Sequence, residues 1–221
     1  MKIGVMRNNL SLLIGMAGFV LCLAGCSSGT APSTAEKKAP VEEKTPDVFR
    51  VRFDTGKGPF VIEARKDWAP RGTDRFFELV KAGFYDEARF FRVLPRFVIQ
   101  FGINKDPKVS ELWNQLQIVD DPSKQLNTKG TVTFAKRGPN TRTTQIFINM
   151  ADNPSLDGSG FPPFGKVVEG MEVVAKLYPG YGEMSPNGNG PDSIKIQAMG
   201  NEYLIRNFPR LDFVKTARVV Q

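Results

Sequence analysis

FFRVLPRFVIQFG, residues 90–102, holds two extended apolar runs, 90–94 and 97–101, joined at a Pro95-Arg96 corner. In the second run, strand alternation predicts Phe97, Ile99 and Phe101 on one face with Val98 and Gln100 on the other. In the first, Arg92 and Leu94 are expected to share a face with Phe90, which sets a guanidinium among large apolar side chains. Neither Arg92 nor Gln100 can be fully buried without hydrogen-bond partners, because an unpaired charge in apolar surroundings costs more than packing returns. Taken alone, the stretch reads as an arginine at a sheet rim that lays its stem on apolar surface and keeps its head in water.

A second stretch, GTVTFAKRGPNTRTTQIFIN at residues 130–149, reads as a strand, a Gly-Pro-Asn-Thr turn and a further strand carrying Gln145 and Phe147. A third piece follows, Leu156-Asp157-Gly158 and then Phe164-Gly165-Lys166-Val167. Together these resemble the cyclophilin family of peptidyl-prolyl isomerases, whose signature runs F-x-R-V-x-P-x-F-x-x-Q, then G-P-N-T-x-x-S-Q-F-F-I, then L-D-G and F-G-x-V. The likeness extends from about Val48 to the C-terminus. It implies a mainly β fold: a closed eight-stranded antiparallel barrel capped by two helices, with an extra helix near the C-terminus.

The resemblance also implies a site. Arg92 matches the family's catalytic arginine and Gln100 the glutamine that holds it. Phe97, Val98, Phe147 and Leu156 match the proline pocket, and Ala135 and Gln145 the neighbouring groove for the peptide N-terminal to the proline; their plain reading is ordinary barrel residues. Phe161 matches the family's pocket histidine only approximately, since residues 158–164 hold one residue more than the usual spacing. Further departures are Phe91 for a histidine, Val98 for a methionine, Lys136 for an asparagine and Ser155 for a tryptophan. They imply weak cyclosporin binding and a shifted peptide preference, with the rotation chemistry retained.

Composition narrows the chemistry independently. The chain has no histidine, and its two cysteines are Cys22 and Cys26. Nucleophilic triads built on histidine and zinc sites of the usual His/Cys type are therefore excluded. Prolyl isomerisation needs no metal and no cofactor, because it breaks no covalent bond. It rotates an amide whose resonance sets a barrier of about 18–20 kcal/mol.

The first 46 residues are not domain material. Lys2 and Arg7 precede an apolar run from 10 to 25, too short and too sharply ended for a membrane span. It predicts a signal peptide over 1–25, and Leu23-Ala24-Gly25-Cys26 resembles the bacterial lipobox, in which Cys26 is lipidated; an ordinary signal cut at a nearby small residue is the alternative. Residues 26–46, rich in Ser, Thr, Ala, Pro, Lys and Glu, predict a flexible tether rather than a segment docked on the domain. Residues 47–221 form the isomerase domain. Losing Lys2 and Arg7 takes the net charge from +7 to +5, with no basic cluster that suggests nucleic acid. The expected partners are proline-containing polypeptides and unfolded exported proteins, and the membrane through the lipid. The expected setting is a monomer facing the periplasm of a bacterial envelope, with Ser27 favouring the outer membrane.

Within the domain, 48–54 alternates as a half-buried strand and 60–64 returns after a turn. Pro70 opens a helix whose Phe76, Phe77, Leu79 and Val80 plug one barrel end, and Gly83 ends it. Residues 103–127 read as a long loop pinned by Trp113. Its Asp120-Asp121 pair is a poor metal site, because adjacent side chains on an extended chain point apart. A second short helix is expected over 170–177. Near the C-terminus, Asp192 reads as the cap of a helix interrupted at Gly200, with Ile194, Ala198 and Ile205 on one side and a closing strand from Phe213; the competing reading makes 194–198 the closing strand. Function then has three readings: an isomerase for exported proteins, a proline-binding module without turnover, and a structural envelope lipoprotein. Keeping both Arg92 and Gln100 favours the first.

Overall fold

The computed structural model describes residues 44–220, so Cys26, the signal peptide and most of the tether lie outside the described residues. Strand β1 (Val48–Thr55) buries every second residue, as its alternation requires, and turns back at 56–57 into β2 (Gly58–Arg65). Helix α1 (Pro70–Lys81) follows, with Pro70 in its first turn. It ends where the amides of Gly83 and Phe84 bond back to Val80 and Leu79. Its Phe76 ring packs against Phe49, Phe53 and Phe164, fixing the helix over the core.

The remaining strands are β3 (Arg92–Val93), β4 (Val98–Phe101), β5 (Thr131–Phe134), β6 (Ile146–Asn149), β7 (Pro163–Glu169) and β8 (Val214–Val220). All eight join one antiparallel sheet in the order β3-β4-β6-β5-β7-β2-β1-β8. The expected eight strands are present, but the barrel is not closed: the sheet is a curled half-barrel with β3 and β8 as its edges. Strand β3 is only two residues long and offers no ladder to the seven of β8. The segment before β3 meets the start of β8 through an Arg89–Phe213 bridge, flanked by bonds from Phe90 N to Asp212 O, from Val214 N to Ala88 O and from Glu87 N to Val214 O.

Three helices are not as the sequence suggests. Within the supposed loop 103–127 lies α2 (Pro107–Asn114), capped by Asp106, whose carboxylate accepts from Lys108 N at 2.8 Å. Trp113 on this helix meets Phe84 edge-on. A single turn, α3 (Pro154–Asp157), precedes β7, and the helix expected over 170–177 shrinks to α4 (Met171–Val174). Helix α5 (Ser193–Asn207) removes the strand reading of 194–198 and is capped by Asp192 as expected. Its inward face is Ile196 and Leu204, whereas Ile194 and Ile205 are 71% and 54% exposed. The non-helical break at Gly200 (φ 58°, ψ −142°) resets the helical phase and lets Asn201 N reach Lys105 O at 3.0 Å.

A Cβ at Gly200 would lie 2.0 Å from Lys105 O. Gly200→Ala is therefore expected to cost about 1–3 kcal/mol of stability, from backbone strain at a position few L-residues adopt. Urea unfolding reads this directly, and an unchanged midpoint would show the kink to be dispensable.

Two apolar clusters result. The main core gathers the inner face of the sheet under α1. A smaller one joins Phe91, Ile103, Ile196, Leu204 and Leu211, with Tyr181, Met184, Tyr203 and Phe208 packed on it. Phe90 belongs to the first and Phe91 to the second, so consecutive phenylalanines anchor opposite sides of the segment that presents Arg92.

Candidate active site

The site grows from the β3–β4 hairpin. Its register sets Arg92 directly across from Gln100, and β4 in turn sets Gln100 across from Phe147 on β6. Directly opposed side chains on one sheet face are neighbours, so these three converge without any loop bringing them together. Phe97 departs from its expected place beside Ile99 and Phe101, which are in the core. It precedes β4, is freed from the strand alternation, and lines a cavity instead. Arg92 likewise does not share a face with Phe90: irregular backbone before the short β3 turns Phe90 into the core while Arg92 lines the cavity.

That cavity, about 140 Å³, is lined by Arg92, Phe97, Val98, Gln100, Ala135, Lys136, Phe147, Leu156 and Phe161. Every described residue expected at the site is in this set except Gln145. Gln145 lines an adjoining groove of about 350 Å³ that shares Gln100, Ala135 and Lys136 with the cavity and runs on to Met184 and Gln197. Phe161, despite the extra residue before it, meets Phe147 edge-on at 5.8 Å.

The polar groups form a chain. Arg92 donates from Nη1 to Gln100 Oε1 at 3.2 Å, and Gln100 Nε2 donates to Gln145 Oε1 at 3.0 Å. The guanidinium lies 5.5 Å from the centre of the Phe97 ring, within cation–π range. Arg92 Nη2 donates to Glu183 Oε2 at 2.6 Å, and Nε has no protein partner. Both terminal nitrogens of the fork are thus engaged by protein.

Glu183 is the contact that sequence reasoning missed; it lies 91 residues from Arg92 in a Gly/Asn/Pro loop with no local pattern to mark it. Burial alone would raise its carboxyl, but the Arg92 hydrogen bond, the Met184 N–H and the Arg92 charge outweigh that and hold it below its ordinary value. Lys136, where the resemblance expected an asparagine, is tied to Asp120 at 3.0 Å and stands over the Phe161 ring at 5.4 Å. A buried asparagine network underlies the floor: Asn153 Nδ2 donates to Phe97 O and to Asn149 Oδ1, and Asn127 Nδ2 donates to Phe161 O. It holds the backbone carbonyls of Phe97 and Phe161, two aromatic residues of the cavity lining.

An apolar cavity beside a guanidinium held at fixed geometry can bind a compact apolar ring and offer a cationic donor to a polar group next to it. Residues 50–201 match the family model described as cyclophilin type peptidyl-prolyl cis-trans isomerase. Peptidyl-prolyl cis-trans isomerase B of Escherichia coli is 35% identical over 136 residues, covering 58% of this chain and 82% of that protein. A peptidyl-prolyl cis-trans isomerase of Acinetobacter baylyi is 38% identical over 133 residues, covering 58% and 70%. Among solved structures, a cyclophilin type isomerase of Cryptosporidium parvum aligns with a TM-score of 0.58 at 20% identity, covering 79% of this chain and 98% of that one. The same protein crystallised in the presence of the dipeptide Ala-Pro aligns with a TM-score of 0.57.

Proposed function

The chain belongs to the cyclophilin-type peptidyl-prolyl cis-trans isomerases and is an isomerase enzyme; from that premise we propose that it rotates X-Pro bonds of exported polypeptides, using Arg92 to stabilise the twisted amide. Phe97, Val98, Phe147, Leu156 and Phe161 hold the proline ring. Ala135 and Gln145 line the path of the residues before it, and Gln100 steadies the arginine. Midway through the rotation the amide nitrogen loses its resonance and becomes pyramidal and basic. A fixed cationic donor then binds the twisted state better than the planar one, and this difference lowers the barrier.

The observation that carries this reading is the guanidinium held by Gln100 at the rim of the apolar cavity. The Ala-Pro dipeptide present with the Cryptosporidium protein makes proline-containing peptides the natural substrate class. The test is the cis-to-trans rate of an Ala-Pro peptide, which is spontaneous over tens to hundreds of seconds. With catalytic amounts of the protein the rate should rise in proportion to enzyme, and an unchanged rate would sink the proposal.

The setting is also a proposal: a monomer tethered by lipidated Cys26 in a bacterial envelope and facing the periplasm, with 1–25 removed as signal and 26–46 as spacer. What supports it is the apolar run ending Leu23-Ala24-Gly25-Cys26, with Ser27 favouring the outer membrane. Cys26→Ser should move the protein from the membrane pellet to the soluble fraction. Retention in the pellet would remove the lipid anchor from the account.

A further inference from the structure

We infer that Glu183 is a positioning residue for the isomerase reaction, clamping the Arg92 guanidinium from the side opposite Gln100. This inference rests on the proposed role of Arg92 and adds what keeps that side chain in place.

Arg92 needs such help because of where the fold puts it. Strand β3 is an edge strand of two residues, paired to β4 alone. An arginine there has a long, rotamer-rich side chain and no neighbouring strand to confine it. Gln100 fixes only one terminal nitrogen, and a guanidinium held at one corner can still swing about that bond. The Glu183 carboxylate takes the other terminal nitrogen at 2.6 Å, so the planar fork is fixed at both ends over the Phe97 ring.

Glu183 is itself fixed, unlike most exposed acids. Its Oε1 accepts from Met184 N at 2.8 Å and its backbone carbonyl accepts from Gly190 N at 2.8 Å. Gly188 and Gly190 crowd it so closely that a Cβ on either would come 2.4 or 2.6 Å from its carbonyl oxygen. On one side of it Tyr181 and on the other Met184 pack on the cluster that contains Phe91, the neighbour of Arg92. Met184 also reaches the groove beside the cavity. Loop, cluster and arginine are therefore one unit, and little side-chain freedom is lost in making the ion pair. This separates it from an ordinary surface pair, where that loss cancels most of the gain.

The pairing leaves the rotation chemistry to Arg92. Glu183 accepts one N–H of Nη2 and Gln100 one N–H of Nη1, so each terminal nitrogen keeps a second N–H to offer, while Nε is buried.

The test uses the full-length protein and a two-by-two set of variants, with the Ala-Pro peptide as substrate. Glu183→Ala should lower kcat about tenfold with KM nearly unchanged, since the proline cavity is untouched and only the orientation of the donor is lost. Glu183→Gln keeps an acceptor oxygen of the same length and should recover most of that loss. In the Arg92→Ala background, Glu183→Ala should have no further effect. A fall of the same size in that background would overturn the inference, because Glu183 would then act through something other than Arg92. A Glu183→Ala enzyme as fast as the wild type, or faster, would also overturn it, the latter marking the ion pair as an inhibitory contact. Should Glu183→Ala fold poorly, the near-isosteric Glu183→Gln beside Glu183→Asp decides the matter: shortening the side chain by one methylene should cost more than removing its charge, and the reverse order would overturn the clamp. Failure of the arginine reading is seen separately, as full activity in Arg92→Ala alone.

Discussion

Arg92→Ala is expected to lower kcat/KM for an Ala-Pro peptide about a hundredfold, the loss typical of removing one preorganised electrostatic donor. The loss should fall on kcat, because the walls of the 140 Å³ cavity other than Arg92 itself remain and still bind the proline ring. Arg92→Lys should recover little. An ammonium is a compact point charge that cannot span the Gln100 and Glu183 acceptors as the fork does, so it would be neither clamped at both ends nor aimed. If instead Arg92→Ala kept wild-type kcat while Phe147→Ala lost activity, desolvation of the proline in the apolar cavity would have to carry the catalysis, and the arginine mechanism would fall.

The groups that sequence reasoning found and those it missed differ in one physical respect. Arg92, Gln100 and Phe147 stand together because strand register joins them: the short turn at Pro95 places Arg92 opposite Gln100, and the next ladder places Gln100 opposite Phe147. Spacing along the hairpin carries the first of these pairings; the second, and the roles of all three residues, rest on the family resemblance. Glu183 and Asp121 reach their partners across 91 and 50 residues, where no period or spacing predicts which acid meets which cation or amide. The open edge was hidden for another reason. Whether eight strands close depends on how long the last ladder is, and nothing in FFRVLP states that only Arg92 and Val93 would pair. Helix α2 did leave a signal, Asp106 as cap and Pro107 in the first turn, but a proline in a strand-poor stretch reads more readily as loop. On α5 the break at Gly200 shifts the helical phase, so Ile196 and Leu204 face inward while Ile194 and Ile205, expected on one side, are exposed.

Asp121→Ala is expected to cost about 3–5 kcal/mol of stability, the range found when one partner of a buried ion pair is removed. The carboxylate is fully buried and has three duties. It accepts from Arg71 N at 3.0 Å and Gly72 N at 2.9 Å, amides in the first turn of α1, and from Arg142 Nη2 at 3.0 Å. The helix has no side-chain cap of its own, so Asp121 acts as its cap from a distant loop, where helix dipole and free amides both favour a negative charge. Without it the first turn loses its acceptor, and Arg142, also fully buried and still donating to Val119 O, is left with the Asp120 carboxylate. That remaining contact is an ion pair at 3.0 Å whose angle is too poor for a hydrogen bond. Burial raises the Asp120 carboxyl, but the Asn140 N–H, Lys136 and Arg142 together hold it below its ordinary value. Asp120 thus contributes stability that is present above its unfolded value and lost as pH falls through the lower folded one. Because Asp120 also holds Lys136 at the cavity wall, loosening this knot should disturb the substrate groove before the core. Against a total stability of about 5–15 kcal/mol for a typical domain, the Asp121→Ala loss is a large share. Urea unfolding measures it, and the double variant Asp121→Asn with Arg142→Met should be less destabilised than Asp121→Asn alone, since no uncompensated buried charge remains. A cost below about 1 kcal/mol for Asp121→Ala would mean that water reaches the site and replaces the carboxylate, and that the knot does not anchor α1.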